Sequence, residues 1–360
     1  MVPTPSPTPA APAVWSRPSK PIAGLSSCEW ITTVIDGNGT AHLAAACSPI
    51  EFSEIRYAVA TGPGHWTTAT FAPPAERFET APQLAVDGST LYLAYTRLAR
   101  TDGGCGDNGL QDVGVYYRTR SLPSGDWSGP RSLGTTRDEL ESFRVRDGVI
   151  HATVFNDNSN ATAYVTSASG GSRVTIGSAV GSTSLRIGDD GAPRIAFEGK
   201  GIEYGRISAG AGSFKAIPNS ARGWDPVLVL EPGNVADVLW SKSYHGGGCA
   251  EPDPLPEDGT YFSTDAGGSW QTVKLSKAVG GTSLTVDPAT GGIHAVLSDF
   301  DSIVAFDRSP GGTWTHQKVV SGGATSPVIR QSPTTGSLLL AFAVHGENGG
   351  VSEVEVMTKG

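Results

Sequence analysis

The chain has 360 residues, a formal net charge of −9 and only 17% charged residues. An acidic chain without long blocks of like charge does not suit a general nucleic-acid or anionic-membrane binder. No apolar run approaches the ~18 residues that a membrane span needs. Glycine is abundant, at 47 residues, and no long stretch keeps a helical period. The composition therefore favours many short strands joined by turns, in one large all-β domain.

The chain begins with a Pro/Thr/Ser/Ala tract over residues 2–13, which lacks the apolar side chains of a core. We interpret residues 1–13 as a leader or linker and residues 14–360 as a single domain. Tracts of this kind often follow a signal peptide or lipid anchor in bacterial secreted proteins. The expected location is therefore extracellular, either free or anchored to a surface through the linker, and a plain disordered tail is the alternative.

Seven pairs of hydrophobic segments follow one another along the chain, and a polar turn joins the two segments of each pair. The spacing between successive turns runs from 42 to 60 residues. A base unit near 42–44 residues with insertions has the size of one four-stranded propeller blade. The seven turns are marked by Asp36, Asp87, Asp147, Asp189, Glu231, Asp287 and Gln331.

Each unit continues with a third segment and a second turn, and several of these second turns end in an aromatic residue. Trp66, Trp127, Trp270 and Trp314 hold this position, and we interpret them as packing residues rather than sugar platforms. The seventh unit ends without a fourth strand. Residues 13–24 have the sequence of an outer strand, so we expect the N-terminal strand to complete the last blade and close the ring.

The second turn of the fifth unit carries a recognisable motif. Residues 263–270, Ser-Thr-Asp-Ala-Gly-Gly-Ser-Trp, resemble the Asp box, S-x-D-x-G-x-[TS]-W, of sialidase-like and BNR-repeat β-propellers. In such a box the Ser and Asp side chains bond the turn backbone, Gly takes a positive φ, and Trp packs the next strand onto its blade. The resemblance extends over residues 13–360 and implies a seven-bladed β-propeller of four-stranded blades.

Four cysteines in an apparently secreted chain suggest two disulfides. Cys28 and Cys47 lie symmetrically about the turn at Asp36, which predicts a bridge across the first hairpin of blade one. Cys105 and Cys249 lie in long insertions after the second strands of blades two and five. We predict a Cys105–Cys249 strap across the channel mouth, with free thiols or another pairing as the alternative.

Polar and aromatic residues concentrate in the loops that lead into blades two, three and five, at residues 75–82, 135–142 and 221–226. The corresponding loops of blades four, six and seven are small. These loops share one face of a propeller with the loops that follow the second strands, and we expect function on that face. An aromatic platform beside carboxylates and amides suits a carbohydrate. Trp224 is the predicted platform, with a wedge between blades as the alternative. The other predicted ligand-binding residues are Arg222, Arg97, Arg137, Glu79 and Lys242.

Three enzyme classes compete for this face. A sialidase uses an arginine cluster, which Arg97, Arg137 and Arg222 would have to supply, and the absence of an R-I-P motif disfavours it. A polysaccharide lyase of the propeller type would use Tyr244 and His245 as base and acid.

The third class is another glycosidase, which needs an acid and a second carboxylate about 5 to 10 Å apart. Glu79 and Asp138 are further candidates for its carboxylates. The predicted catalytic residues across the classes are Glu198, Glu139, Glu141, Asp225, His245 and Tyr244.

Residues 156–160 and 102–112 are rich in oxygen ligands, but neither has EF-hand spacing, so we expect polar turns, with structural Ca²⁺ as the alternative. No cofactor or metal is predicted. The expected partner is an extracellular glycan, recognised or degraded by a monomer. The competing function is a non-catalytic propeller that serves as a protein-binding or scaffold module. A carboxylate or histidine with a strongly perturbed pKa inside a pocket would favour the enzyme.

Overall fold

The computed structural model describes residues 14–23, 27–48, 53–100, 109–167, 173–178, 180–243, 255–299, 302–310, 312–345 and 351–360. Over these residues the chain forms 28 β-strands, arranged in seven antiparallel sheets of four strands each. Contacts between the first strands of successive blades run around a closed ring. Within the described residues, no helix is long and apolar enough to cross a membrane. The predicted seven-bladed all-β propeller is therefore confirmed.

Each blade is a meander whose first strand lies innermost, and blade seven takes its outer strand from the N-terminus. The closing strand is β1 (Ser19–Ala23). Blades one to three contain β2 (Ser27–Ile35), β3 (Ala41–Ser48), β4 (Glu54–Gly62), β5 (His65–Phe71), β6 (Arg77–Asp87), β7 (Thr90–Arg100), β8 (Leu110–Ser121), β9 (Arg131–Leu133), β10 (Asp138–Arg146), β11 (Val149–Asn156), β12 (Ala161–Thr166) and β13 (Val174–Ser178). Blades four and five contain β14 (Thr183–Ile187), β15 (Pro193–Glu198), β16 (Ile202–Ser208), β17 (Ala211–Ala216), β18 (Gly223–Glu231), β19 (Val235–Lys242), β20 (Gly259–Thr264) and β21 (Gln271–Ser276). Blades six and seven contain β22 (Thr282–Val286), β23 (Ile293–Ser298), β24 (Ser302–Arg308), β25 (Trp314–Ser321), β26 (Ala324–Gln331), β27 (Leu338–His345) and β28 (Val351–Lys359).

The ring closes where the two ends of the chain meet. β1 pairs antiparallel with β28, with Ser19 opposite Val356 and Ile22 opposite Val354. This pairing covers the edge that β28 would otherwise expose, which is the physical reason for closing a propeller in this way. The predicted completion of the last blade by the N-terminal strand is confirmed.

The hydrophobic core lies between adjacent blades. One cluster joins Ile202 of blade four to Leu228, Val238 and Trp240 of blade five. The Trp240 side chain is fully buried, stacks on Tyr261 with ring centroids 4.7 Å apart, and donates from Nε1 to Ser263 Oγ at 2.9 Å. Burial of the aromatic surface and satisfaction of its N–H both stabilise this blade.

Three of the tryptophans that begin outer strands pack against the preceding blade. Trp127 of blade two meets Tyr57 of blade one edge-on at 5.2 Å, and Trp270 of blade five meets Tyr204 of blade four at 5.4 Å. Trp314 of blade six packs in the same way on Phe262 of blade five. The predicted packing role is confirmed, and its geometry joins neighbouring blades rather than strands of one blade.

Residues 263–270, which resemble an Asp box, make different hydrogen bonds from those that the resemblance implies. Gly268 has the expected positive φ of 73°. The Asp265 carboxylate, however, accepts from the backbone N–H of Ala236, at the start of the adjacent strand, at 2.7 Å. Ser263 Oγ lies within hydrogen-bond distance of Thr272 Oγ1 as well as Trp240 Nε1. The box therefore fastens neighbouring strands of blade five to one another as well as shaping its own turn.

Cys28 and Cys47 are opposite each other in the register of β2 and β3 and form a disulfide with Cα atoms 4.1 Å apart. This predicted bridge is confirmed. Cys105 and Cys249 lie outside the described residues, so the predicted strap between them stays a prediction.

Candidate functional site

Five of the seven innermost strands carry a bulge near the same end of the channel. The register shifts between Glu29 and Thr32 in β2, and the equivalent shifts occur in β6, β10, β18 and β26. Non-glycine residues with positive φ occupy four of these bulges, namely Trp30, Ala81, Asp225 and Ser326. A bulge bends its strand and re-aims the side chains. Here it turns Trp30, Ala81 and Asp225 into the lining of a central cavity.

This cavity has a volume of about 390 Å³ and is lined by residues from all seven innermost strands. Its carboxylates come from blades three and five, as Glu139 and Glu141 of β10 and Asp225 of β18. Trp30 of blade one lies on the opposite side of the ring. The site therefore combines an acidic wall with an aromatic side chain across the mouth.

Four predicted catalytic carboxylates act on one another at this wall. Burial, followed by the neighbouring charges of Glu139, Asp225 and Glu198, raises the pKa of Glu141 to about 7, although a backbone hydrogen bond from Thr183 opposes the shift. Burial and the charge of Asp157 raise the pKa of Glu139, and burial raises that of Asp225. Glu141 therefore holds a proton close to neutral pH.

The Glu198 side chain, at the end of β15, packs against Gly181. A Cβ on Gly181 would lie only 2.5 Å from Glu198 Oε2 and 3.1 Å from its Cβ. The glycine thus leaves room for the Glu198 side chain in the position from which its charge acts on Glu141.

The acidic wall extends outward to Asp112 on β8. Burial raises the pKa of Asp112 to about 7, with further contributions from the charge of Glu139 and from a hydrogen bond to Asp157. Sequence reasoning placed Asp112 only in a polar loop. The folded structure shows its position, because the pairing of residues 110–112 with β7 places Asp112 beside the loop that leads into blade three.

Trp30 is the aromatic residue at the mouth. Its side chain is 53% exposed, and its φ of 48° is uncommon for a bulky residue. Trp224, the predicted platform, is half-buried and does not line the cavity, and its Nε1 donates to Ser243 Oγ at 2.9 Å. The sequence places Trp30 in the first segment of blade one, where it looks like an ordinary strand residue.

Two predicted ligand-binding residues form a buried ion pair instead. Glu79 is fully buried and accepts from Arg97 Nη2 at 2.5 Å, and the Arg97 guanidinium lies over the Tyr116 ring at 4.2 Å. Neither residue lines the cavity. The two side chains pair within blade two, while Glu79 Oε2 has no hydrogen-bond partner among the described residues, so a ligand-binding role for either residue stays a prediction.

The other predicted residues are distributed around the same face. Arg222 Nη2 pairs with Glu257 Oε1 of its own blade at 2.8 Å, and Arg137 is close enough to act on the charge of Asp112. Lys242 ends β19, outside the cavity lining. Arg97 and Arg222 are thus held by different local partners. Tyr244 and His245 lie outside the described residues.

Asp138, also considered from the sequence, is a structural carboxylate. It is fully buried and binds Arg173 through two hydrogen bonds of 2.8 and 3.0 Å. Asn156 Nδ2 donates to it at 2.8 Å while Asn156 Oδ1 caps the turn at Ser159. Residues 156–160 thus form a polar turn, and the described residues contain no group of three or more His, Cys, Asp or Glu suited to a metal.

Three arginines that sequence reasoning missed line the inner part of the cavity. They are Arg144 of β10, Arg186 of β14 and Arg330 of β26. Burial and the charge of Arg330 lower the pKa of Arg144 to about 9, and burial lowers that of Arg330 to about 10. The channel therefore carries carboxylates at its mouth and guanidinium groups further in.

No family model matches this chain, and no curated protein matches it either. Several solved structures, however, resemble this chain in fold. A protein of unknown function from Dyadobacter fermentans superposes with a TM-score of 0.57 at 10% identity, covering 95% of this chain and 99% of that one. An alpha-L-arabinanase from Penicillium chrysogenum, complexed with arabinobiose, gives 0.55 at 12% identity, with 95% and 98% covered.

A sialidase from Trypanosoma rangeli gives a TM-score of 0.53 at 11% identity, covering 92% of this chain and 55% of that protein. This chain therefore corresponds to about half of the sialidase. At such low identity the likeness establishes the fold alone, which is a seven-bladed β-propeller.

Proposed function

We propose that this protein hydrolyses an extracellular glycan in the central cavity, with Glu141 as general acid and Asp225 as the second carboxylate. The observation that carries the proposal is the pKa of Glu141, raised to about 7 within a cavity that Asp225 also lines. A glycosidase needs one carboxyl group that keeps its proton near neutral pH beside another that has lost it.

The division of roles follows from the surroundings of the two groups. Burial alone raises the pKa of Asp225, from an ordinary value of 3.8. Glu141 starts from 4.5, and the charges of three neighbouring carboxylates add to its burial. We therefore assign the donor role to Glu141, on which burial and three neighbouring charges act together.

In the proposed reaction, protonated Glu141 gives its proton to the glycosidic oxygen as the bond from that oxygen to the anomeric carbon breaks. Ionised Asp225 stabilises the positive charge that develops on the sugar. Asp225 then either removes a proton from the attacking water or itself bonds to the anomeric carbon before water releases the sugar. Proton NMR of the first product anomer distinguishes these two routes.

Trp30 gives the cavity a surface for the apolar face of a sugar ring, opposite the acidic wall. Two of the structural neighbours, the arabinanase and the sialidase, are named as glycan-acting enzymes, which is consistent with this use of the fold. The Cys28–Cys47 disulfide fits a protein that works outside the cell, as a monomer that is secreted or tethered through residues 1–13.

The competing proposal is a non-catalytic binding or scaffold propeller. Such a module has no use for a buried carboxyl group that titrates near neutral pH beside other carboxylates, because each unpaired buried charge costs stability. The perturbed pKa of Glu141 within the cavity therefore favours the enzyme.

The test is a polysaccharide-degradation screen that includes arabinan, pectin, xylan and sialylated glycans, with wild-type protein and Glu141→Gln. We expect wild type to release product from at least one polymer, and Glu141→Gln to lower kcat by about 100- to 10,000-fold, the usual loss of a general acid. The wild-type rate should fall above about pH 7, where Glu141 loses its proton.

Glu203→Gln is the matched control, because Glu203 lies on the third strand of blade four and outside the cavity lining. It should retain the wild-type rate. If wild type binds a polymer but releases no product, the protein is a lectin-like propeller and not an enzyme. If Glu141→Gln retains activity, Glu141 is not the general acid.

A further inference from the structure

Inside the channel, one ring of seven side chains lies directly below the cavity mouth. On each innermost strand, the residue that precedes the ring residue is buried and pairs with a fully buried residue of the second strand, as Phe143 does with Ala152 and Ile329 with Leu340. The ring residue itself lines a second cavity of about 410 Å³. Around the ring these residues are Val34, Ala85, Arg144, Arg186, Val229, Thr285 and Arg330.

The three arginines in this ring line one cavity from different sides. Arg144 and Arg186 belong to the adjacent blades three and four, and Arg330 belongs to blade seven, three blades away from each in a ring of seven. Arg330 therefore lies across the channel from the other two. The effect of its charge on Arg144 agrees with this arrangement. A group on the channel axis would be reached from both sides.

The three guanidinium groups share one hydrogen-bonding pattern. In each, Nη1 donates to the carbonyl oxygen of the preceding residue, at 2.5 Å for Arg144, 2.9 Å for Arg186 and 2.8 Å for Arg330. Arg330 Nε also donates to Thr33 O at 3.0 Å. Among the described residues, Nη2 of all three arginines has no protein acceptor, and none of the three forms an ion pair. Donors thus remain free in the channel.

The only carboxylate in the described lining of the second cavity is Asp189. It is exposed at the rim, and its Oδ2 accepts from Gly233 N at 3.2 Å. Among the described residues, no ion pair joins these arginines to Glu139, Glu141 or Asp225 at the mouth. Three cations inside a narrow channel repel one another, and an anion between them would remove that cost.

We propose that Arg144, Arg186 and Arg330 bind a compact oxyanion on the channel axis. A phosphate, sulfate or carboxylate group presents several acceptor oxygens at once, which suits guanidinium donors converging from opposite sides. The anion can be free inorganic phosphate or sulfate, or it can be the acidic group of a sugar that enters through the mouth. The site is separate from the proposed hydrolysis, because none of its three ligands is an assigned acid or base.

The experiment is isothermal titration calorimetry in a buffer free of oxyanions. Phosphate and sulfate test the free anion, and D-glucuronate with D-glucose as its neutral match tests the acidic sugar. We expect at least one anion to bind and glucose not to bind. Arg186→Gln should weaken the binding at least about tenfold, since it removes one charge-assisted donor.

Arg186→Gln is the first variant because its only hydrogen bond in the described structure is to its own strand, so the fold should survive. Arg144→Gln, with the same local bonding, is the second. Arg206→Gln is the matched control, since Arg206 is exposed on β16 of blade four, and it should bind as wild type does. Glu141→Gln should keep anion binding, so loss of hydrolysis and loss of this site are distinguishable.

Binding of phosphate alone would assign a free anion, and binding of glucuronate alone would assign an acidic sugar; either result supports the site if Arg186→Gln weakens it. Failure of every anion to bind wild type would overturn the proposal. Equal binding by wild type and both arginine variants would overturn it as well.

Discussion

Charged residues outside the channel and charged residues that line it differ in the partners that surround them. Asp138 and Glu141 are three residues apart on the same strand, yet Asp138 is bound by Arg173 and Asn156, whereas Glu141 lies among other carboxylates. Arg97 is paired with buried Glu79, whereas Arg144 has no carboxylate partner in the described structure. The difference separates charges that pair within a blade from charges in the channel that remain available to a ligand.

The physical reason is the cost of burying a charge. Pairing and hydrogen bonds offset part of the cost of lost hydration, so Glu79–Arg97 and Asp138–Arg173 are compatible with a stable core. Unpaired groups of like charge shift their pKa values instead, as Glu141 and Arg144 do in opposite directions. Shifts of this kind in a cavity are typical of functional sites.

The largest expected effect comes from breaking a structural pair. Arg97→Met leaves Glu79 buried without its partner, and we expect a loss of about 3–5 kcal/mol in the free energy of unfolding. Urea denaturation measures it. Arg186→Met, which removes an unpaired channel arginine, should change the same quantity by less than about 1 kcal/mol. Equal losses from the two variants would erase the distinction between paired and unpaired charges.

A smaller effect is expected from the acidic wall as pH rises. Because the folded state raises the pKa of Glu141 from 4.5 to about 7, its protonated form is favoured by folding. The stability it contributes is complete below pH 4.5 and is lost as pH rises through about 7, by an amount on the order of 3 kcal/mol. Glu141→Gln should therefore flatten this part of the pH profile of the free energy of unfolding. An unchanged profile would mean that Glu141 titrates normally.

The smallest effect on stability is expected at Trp30. Because its side chain is 53% exposed, Trp30→Ala should change the free energy of unfolding by less than about 0.5 kcal/mol. Affinity for the glycan identified by the degradation screen should fall by up to about tenfold, since a stacked ring contributes about 0.5–1.5 kcal/mol. Calorimetry with Glu141→Gln as background measures binding without turnover. Trp224→Ala is the control. A larger loss of affinity from this variant than from Trp30→Ala would show that Trp224, and not Trp30, stacks on the sugar.

Most of the fold was predictable because it repeats. The turn markers recur in every unit, and each one lies within two residues of the end of an innermost strand, as Asp36 does after β2 and Gln331 at the end of β26. The Cys28–Cys47 bridge followed from symmetry about one such turn. These features depend on local pattern and register, which a sequence displays directly.

The acidic wall was predictable in part, since Glu139, Glu141, Glu198 and Asp225 all flank the strand ends that meet on one face. The pairing of Glu79 with Arg97 was not, because it depends on a register across two strands. Trp30 was missed because a bulge, invisible in the hydrophobic pattern, turns it into the cavity. The channel arginines were missed because they are spread over 187 positions of the chain, from Arg144 to Arg330 inclusive, and meet only when the ring closes.

The measurement that tests this account most directly is the pKa of Glu141 in the folded protein. Carbon-13 NMR of labelled glutamate carboxyl groups, with the resonance assigned by its absence in Glu141→Gln, follows this titration. We predict a midpoint near pH 7 for Glu141. A midpoint near the ordinary value of 4.5 would show that the cavity does not hold a protonated acid and would contradict the proposed hydrolysis.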